Sequence, residues 1–143
     1  MKCKIIIDKA HDEEVIVYVH EKNALAEKIE NIVLSDSRQL LGFDGKNVLV
    51  LDNSEVYCFT VEDNKVYALT HSEKLRLKQR LYEIEECIGN DFVKINQSCI
   101  VNMNKIHKFD ASLSGGLSVI MKNGYKDYIS RRQLKKVKER MGF

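Results

Sequence analysis

FVKINQSCIVNMNKI, residues 92–106, joins a strand-like run to a polar cluster, an apolar triplet, two asparagines and the start of another strand-like run. FVKI and the later KIHKF carry the β-branched and aromatic residues of strands. Between them, Ser98 has the side chain of a cap for a short helical turn through Cys99, Ile100 and Val101, and Asn102 and Asn104 have those that hold a following turn. Asn96 and Gln97 offer amides that donate and accept at once, and their placement beside the serine points to an exposed role. Ile100, Val101 and Ile106 read as core.

The same texture extends in both directions. From Gln39 onward come LLGF, NVLVL, VYCFTV, KVYALT, FVKI, KIHKF, LSVIM and YKDYI, separated by turn signals at Asp44-Gly45, Asp52-Asn53, Asp63-Asn64, Gly115-Gly116 and Asn123-Gly124. This is the signature of an antiparallel β-meander or sandwich. Two helices are expected within it. One spans about Leu75 to Ile88, with Leu77, Leu81, Ile84 and Ile88 on one face; the other follows Ser130 as N-cap, over about 131–141, with a stripe of Leu134, Val137 and Met141. Ahead of Gln39, Lys2–Ile7 and Val15–His20 read as two strands, and Asn23 caps a helix to Leu34 whose apolar face is Leu25, Ile29, Ile32 and Val33. The expected division is therefore a strand-strand-helix extension over 1–37 and a second unit over 38–143.

A chain of 143 residues suits one compact domain with a small appendage. No apolar run approaches the roughly 18 residues of a membrane span, and the isoleucine run in MKCKIIIDKA is too short for a signal peptide. A cytoplasmic location is expected. Cys3, Cys58, Cys87 and Cys99 are scattered without metal-ligand spacing and read as reduced, mostly buried thiols. The net charge of +2 conceals an asymmetry: residues 1–121 carry 15 Lys/Arg against 19 Asp/Glu, whereas residues 122–143 carry 8 against 2. A cationic C-terminus points to a polyanion or an acidic surface, with a merely solvated tail as the bland alternative.

Arg131 and Arg132 follow directly on the Ser130 cap, where the helix macrodipole is positive and a cation is disfavoured by several tenths of a kcal/mol. A phosphate held by the hydroxyl, the free N–H groups and the guanidinium forks would relieve this, and the same forks suit guanine. Lys135, Lys136, Lys138 and Arg140 add an attractive field. Catalytic readings fare worse. Cys99 and His107 lack an orienting acid, the four histidines lack metal spacing, and Gly115-Gly116 belongs to no phosphate-loop pattern. No cofactor, metal or small-molecule substrate is expected.

FVKINQSCIVNMNKI followed by LSVIMKNGYKDYISRRQLKKVKERM resembles the LytTR-type DNA-binding domain of bacterial transcription regulators. Its signature is a phenylalanine, a basic residue (here Lys94), a polar triplet ending in serine, an apolar-Val-Asn sequence, and later Asn-Gly with Ser-Arg-Arg. The resemblance covers roughly Gln39 to Phe143. It implies a mainly β fold of about ten short antiparallel strands in small sheets, with loops that enter successive major grooves. It also implies that Asn96 and Gln97, Ser130 with Arg131 and Arg132, and Lys65 in the loop Glu62–Lys65 contact DNA, with Lys94 and Lys135 beside them. Members often carry a receiver domain, for which the 37 residues ahead are too few. The expected protein is a homodimeric, non-enzymatic regulator on repeated half-sites of duplex DNA, with a membrane-protein sensor or antagonist as a further partner. The rival from another class is a protein-interaction or anti-regulator module that keeps the fold without specific DNA binding.

Overall fold

The computed structural model describes residues 2–37, 39–111 and 116–143. Among them the order is α1 (Ala24–Ser37), β1 (Leu41–Phe43), β2 (Val48–Val50), β3 (Cys58–Glu62), β4 (Lys65–Leu69), β5 (Lys74–Leu77), α2 (Leu81–Cys87), β6 (Phe92–Asn96), β7 (Cys99–Asn102), β8 (Ile106–Asp110), β9 (Leu117–Met121), β10 (Lys126–Ile129) and α3 (Arg131–Met141). All strand pairings are antiparallel. They form a seven-stranded sheet in the order β2-β1-β5-β4-β3-β7-β6 and a three-stranded sheet in the order β10-β9-β8. The mainly β architecture is the one expected.

The strands β3, β6 and β7 are apolar on both faces because both faces are covered. Phe59, Phe92 and Ile100 pack with Leu81, Ile84 and Ile88 in one core. Their neighbours Cys58, Val93, Ile95, Cys99 and Val101 pack on the opposite side with Val119 and Met121 of β9, Ile129 of β10 and Val137 of α3. Full burial of each such side chain is worth roughly 1.5–3 kcal/mol. The Leu134, Val137 and Met141 stripe turns toward this second core as its spacing requires.

Turn chemistry follows the sequence closely. Asp63 and Asn64 take φ of 52° and 61°, the type I′ geometry that suits a tight hairpin between β3 and β4. Asp44 Oδ1 accepts from the backbone N–H groups of Lys46 and Asn47, and Asn123 Oδ1 accepts from that of Tyr125. The Asn23 cap is present, its Oδ1 accepting from Ala26 N at 2.9 Å. Of Gly115-Gly116, the first residue lies outside the described residues.

Three expectations need correction. The helix over Leu75–Ile88 divides into the strand β5 and the short α2. In Lys74-Leu75-Arg76-Leu77 exposure alternates with burial, a period of two that sets Leu75 and Leu77 into the core from a strand. Cys99–Val101 is the strand β7 and not a helical turn, since its three side chains go to opposite faces of a sheet buried on both sides. Lys2–Ile7 and Val15–His20 form no strand within this chain; their side chains are exposed apart from Val17, which is half-buried.

Gly42 in β1 is a close approach. A Cβ added there would stand 2.9 Å from Leu75 Cβ and 3.3 Å from Leu51 Cδ2. Gly42→Ala is expected to lower stability by about 1–3 kcal/mol through overpacking, read as a lower urea midpoint with an unchanged slope; a midpoint equal to that of the parent would show that the β1–β5 contact yields freely.

Candidate nucleic-acid interface

The turn that joins β6 to β7 consists of Gln97 and Ser98, closed by the Asn96↔Cys99 pair. Neither residue has positive φ, and the strand compensates with a register shift between Lys94 and Asn96, the bulge that lets a hairpin turn of the unprimed kind keep its twist. Gln97 and Ser98 are exposed and Lys94 is half-buried.

Asn96 sits behind this turn. It is 1% exposed, and both ends of its amide are engaged. Oδ1 accepts from Ser98 N at 2.8 Å, while Nδ2 donates to Tyr128 O at 2.9 Å and to Asp127 Oδ1 at 3.2 Å. The expectation of an exposed Asn96 is therefore corrected: of the two amides, the structure offers Gln97 to solvent and uses Asn96 inside. Asn102 repeats the device at the other end of β7, with Oδ1 accepting from Asn104 N and Nδ2 donating to Val56 O.

The link from Asn96 to Tyr128 is continued by Ser130 N, which donates to Ile95 O at 2.9 Å. The start of α3 is thus fastened to the strand that carries the turn. Ser130 is the N-cap by position, but its hydroxyl makes no capping hydrogen bond, and the first turn of α3 holds no acidic residue. Arg131, Arg132 and Lys135 are exposed, and none forms an ion pair with a described residue. Arg140 acts otherwise: its guanidinium donates to the carbonyls of Phe92, at 2.6 Å, and Asn90, anchoring the far end of α3 to β6.

Lys65 stands at the start of β4, opposite Glu62 across the type I′ turn. Glu62 is taken by an ion pair with Lys74, whereas exposed Lys65 has no such partner among the described residues. Topology brings this hairpin to the Gln97-Ser98 turn. β3 pairs with β7 at Thr60↔Cys99 and Val61 N donates to Ser98 O at 2.9 Å, so both turns project from the same end of the large sheet. Residues 62–65, 97–98 and 130–132 therefore form one cluster drawn from three separate parts of the chain. Lys78 belongs to the same end, because Leu77 pairs with Val66 next to Lys65; it is exposed, with Nζ 5.3 Å from the Phe43 ring centroid. The helical reading of Leu75–Ile88 concealed it, and the alternation from Lys74 to Lys78 was the signal.

Beneath the turn, Cys99 is fully buried. A hydrogen bond with the Cys58 thiol, then burial, pushes its pKa up and holds it as a thiol. Tyr125, which donates to Asp127 Oδ2 at 2.8 Å, is pushed up by burial first. Neither environment creates a nucleophile. His107 lies exposed on β8 of the other sheet. Among the described residues no group of three or more His, Cys, Asp or Glu side chains could hold a metal ion.

The LytTr DNA-binding domain model matches residues 46–142. Proteins from Staphylococcus aureus strains MSSA476 and MW2, described as uncharacterized HTH-type transcriptional regulators, are each 33% identical over 144 residues, spanning 99% of this chain and 98% of the relative. A solved LytTr DNA-binding domain from Bacillus cereus superposes with a TM-score of 0.68 at 22% identity, covering 73% of this chain and 97% of that one, a likeness of fold. The chain belongs to the LytTr DNA-binding domain family. Its described α-helices are each separated by five strands, so no pair of adjacent α-helices of the helix-turn-helix kind is present among the described residues.

Removal of the Asn96 amide tests the mounting of this site. Asn96→Ala removes the bonds by which this buried amide ties Ser98 N to Tyr128 O and Asp127 and should cost about 1–3 kcal/mol, whereas Gln97→Ala should stay within about 0.5 kcal/mol of the parent. Equal urea midpoints for the two variants would contradict the assignment of Asn96 to the interior.

Proposed function

We propose that the protein is a sequence-specific transcriptional regulator that reads the major groove of duplex DNA through Gln97 and one of Arg131 and Arg132, with Lys65 and the other arginine on the phosphates beside them. The observation that carries the reading is the uncompensated start of α3: two arginines on a positive helix end, with neither acid nor side-chain cap. Fixed beside the exposed amide of Gln97, this arrangement is complete only when an anion is present. A DNA backbone supplies the phosphate, and its bases supply the edges that an amide and a guanidinium pair with.

Roles divide by chemistry. Gln97 suits an adenine edge, and one of Arg131 and Arg132 suits guanine while the other takes a phosphate. Lys65, Lys94, Lys135 and the Ser130 hydroxyl serve as backbone contacts, with Lys78 as an addition; Asn96 serves by holding the turn. The regulatory role follows the description of the Staphylococcus aureus relatives as transcriptional regulators. Two copies act on repeated half-sites in the cytoplasm, without chemistry of their own, and the signal arrives from another protein such as a membrane-bound sensor or antagonist. No described helix is long and apolar enough to cross a membrane.

The test is binding to the DNA upstream of the coding region, with its footprint as the site. Gln97→Ala, Arg131→Ala and Arg132→Ala each serve as probes. Gln97→Ala and the base-reading arginine variant should lose about 1–3 kcal/mol of specific binding, and Lys65→Ala should weaken all duplexes alike and reduce the salt slope by about one. Sequence-blind retention of every duplex, unaffected by these substitutions, would favour the anti-regulator module instead.

A further inference from the structure

The apolar surface that the domain does not use is concentrated ahead of it. Ile5, Ile6 and Ile7 are 86%, 72% and 92% exposed. Val15, Ile16, Tyr18 and Val19 are exposed as well, and Leu25 and Val33 continue the surface on α1. So many large apolar side chains left to the solvent along one segment are unusual for a monomer and mark an interaction surface. The residues of each run are β-branched or aromatic and consecutive, so both faces of a strand formed from them would be apolar.

The flanking charges say what covers the runs. The first is bounded by Lys2, Lys4 and Lys9 with a single acid, Asp8; the second follows Asp12, Glu13 and Glu14. A basic strand matches an acidic one, and a run beside its own kind would set like charges together. Within one chain the two runs form no strand, and a lone two-stranded hairpin would be marginal in water in any case. Two copies related by a two-fold axis make the match twice, since residue i meets residue j and j meets i.

We infer that residues 2–33 are a homodimerisation arm, in which the first run of one copy pairs with the second run of the other, giving two equivalent ladders related by the two-fold axis, with α1 continuing the apolar surface. Similarity to the Staphylococcus aureus relatives extends across the arm, since the match spans 99% of this chain. The inference deepens the two-copy part of the proposed function and is independent of base reading, because the arm does not contribute to the cluster at the turns.

Sedimentation equilibrium of the full chain without DNA tests it. The wild-type protein, 16.5 kDa per chain, is expected to be a dimer at about 10 µM, within the ordinary affinity range of a specific interface. The variant Lys2→Glu/Lys4→Glu has two acidic runs and Glu13→Lys/Glu14→Lys has two basic ones; each alone should dimerise at least about tenfold more weakly. An equimolar mixture should restore a heterodimer, because each run again meets its opposite. Circular dichroism at the parental level shows that both variants keep the domain fold. A monomeric wild-type chain overturns the inference, as does a mixture that stays as weak as its components, since pairing within one chain is not rescued by mixing. Loss of operator binding by Arg132→Ala with the dimer intact would leave the arm standing, and a dimer that fails while single half-site binding persists would leave the base reading standing.

Discussion

The buried amide of Asn96 is the constraint on which the arrangement of the site depends. A primary amide taken out of water must have its donors and acceptor satisfied, because an unmet group costs a substantial part of a domain's whole stability. Asn96 meets that demand by bonding to its own turn at Ser98 and to a strand more than thirty residues further along, at Asp127 and Tyr128. Those bonds cannot all be made unless the β6–β7 turn and the end of β10 occupy one relative position. Ile95 O and Ser130 N carry the constraint one step further, to the first residue of the cap of α3. A turn and a helix start that would otherwise be independent surface features become one rigid body.

The sheet beneath supplies the other half of that rigidity. Because β3, β6 and β7 are enclosed on both faces, by α2 on one side and by the small sheet with α3 on the other, a shift of register would place the wrong side chains in both cores at once. Arg140 ties the last turn of α3 to the carbonyls ahead of and within β6. With the helix held at both ends, Arg131 and Arg132 remain exposed at a position that is electrostatically unfavourable in the isolated protein. The first turn of α3 therefore carries an electrostatic cost that nothing else among the described residues offsets, and the proposed DNA contact rests on that cost.

Charge is distributed to the same end. Most acidic residues lie before the last two strands, and the final 22 residues hold an excess of six cations. One of them, Lys126, is neutralised by Asp110 at 2.9 Å, and Arg140 is spent on carbonyls; the arginines at the start of α3 and the lysines along it are left to the solvent. A field of this kind steers a polyanion toward the surface before any specific contact forms. The exposed apolar surface lies in the other direction along the chain, apart from the cationic one.

Much of this was legible without coordinates, wherever the determining physics is local. β-Rich segments between turn signals marked eight of the ten strands, Asp63-Asn64 and Asn123-Gly124 marked turns whose φ angles only such residues take readily, Asn23 and Ser130 marked helix starts, and the stripe of Leu134, Val137 and Met141 marked the buried face of α3. The sequence also determined the charge asymmetry and the arginine pair at the wrong end of a dipole. Where two periods competed, local reading failed: Leu77, Leu81, Ile84 and Ile88 fit a helix until Leu77 pairs with Val66 in a strand. The role of Asn96 was out of reach for a related reason. Its neighbours in sequence are polar and suggest a surface, and only the approach of β10, thirty residues distant, encloses it. Tertiary structure alone decided which of two adjacent amides faces the solvent, because burial depends on what packs over a residue rather than on what precedes it.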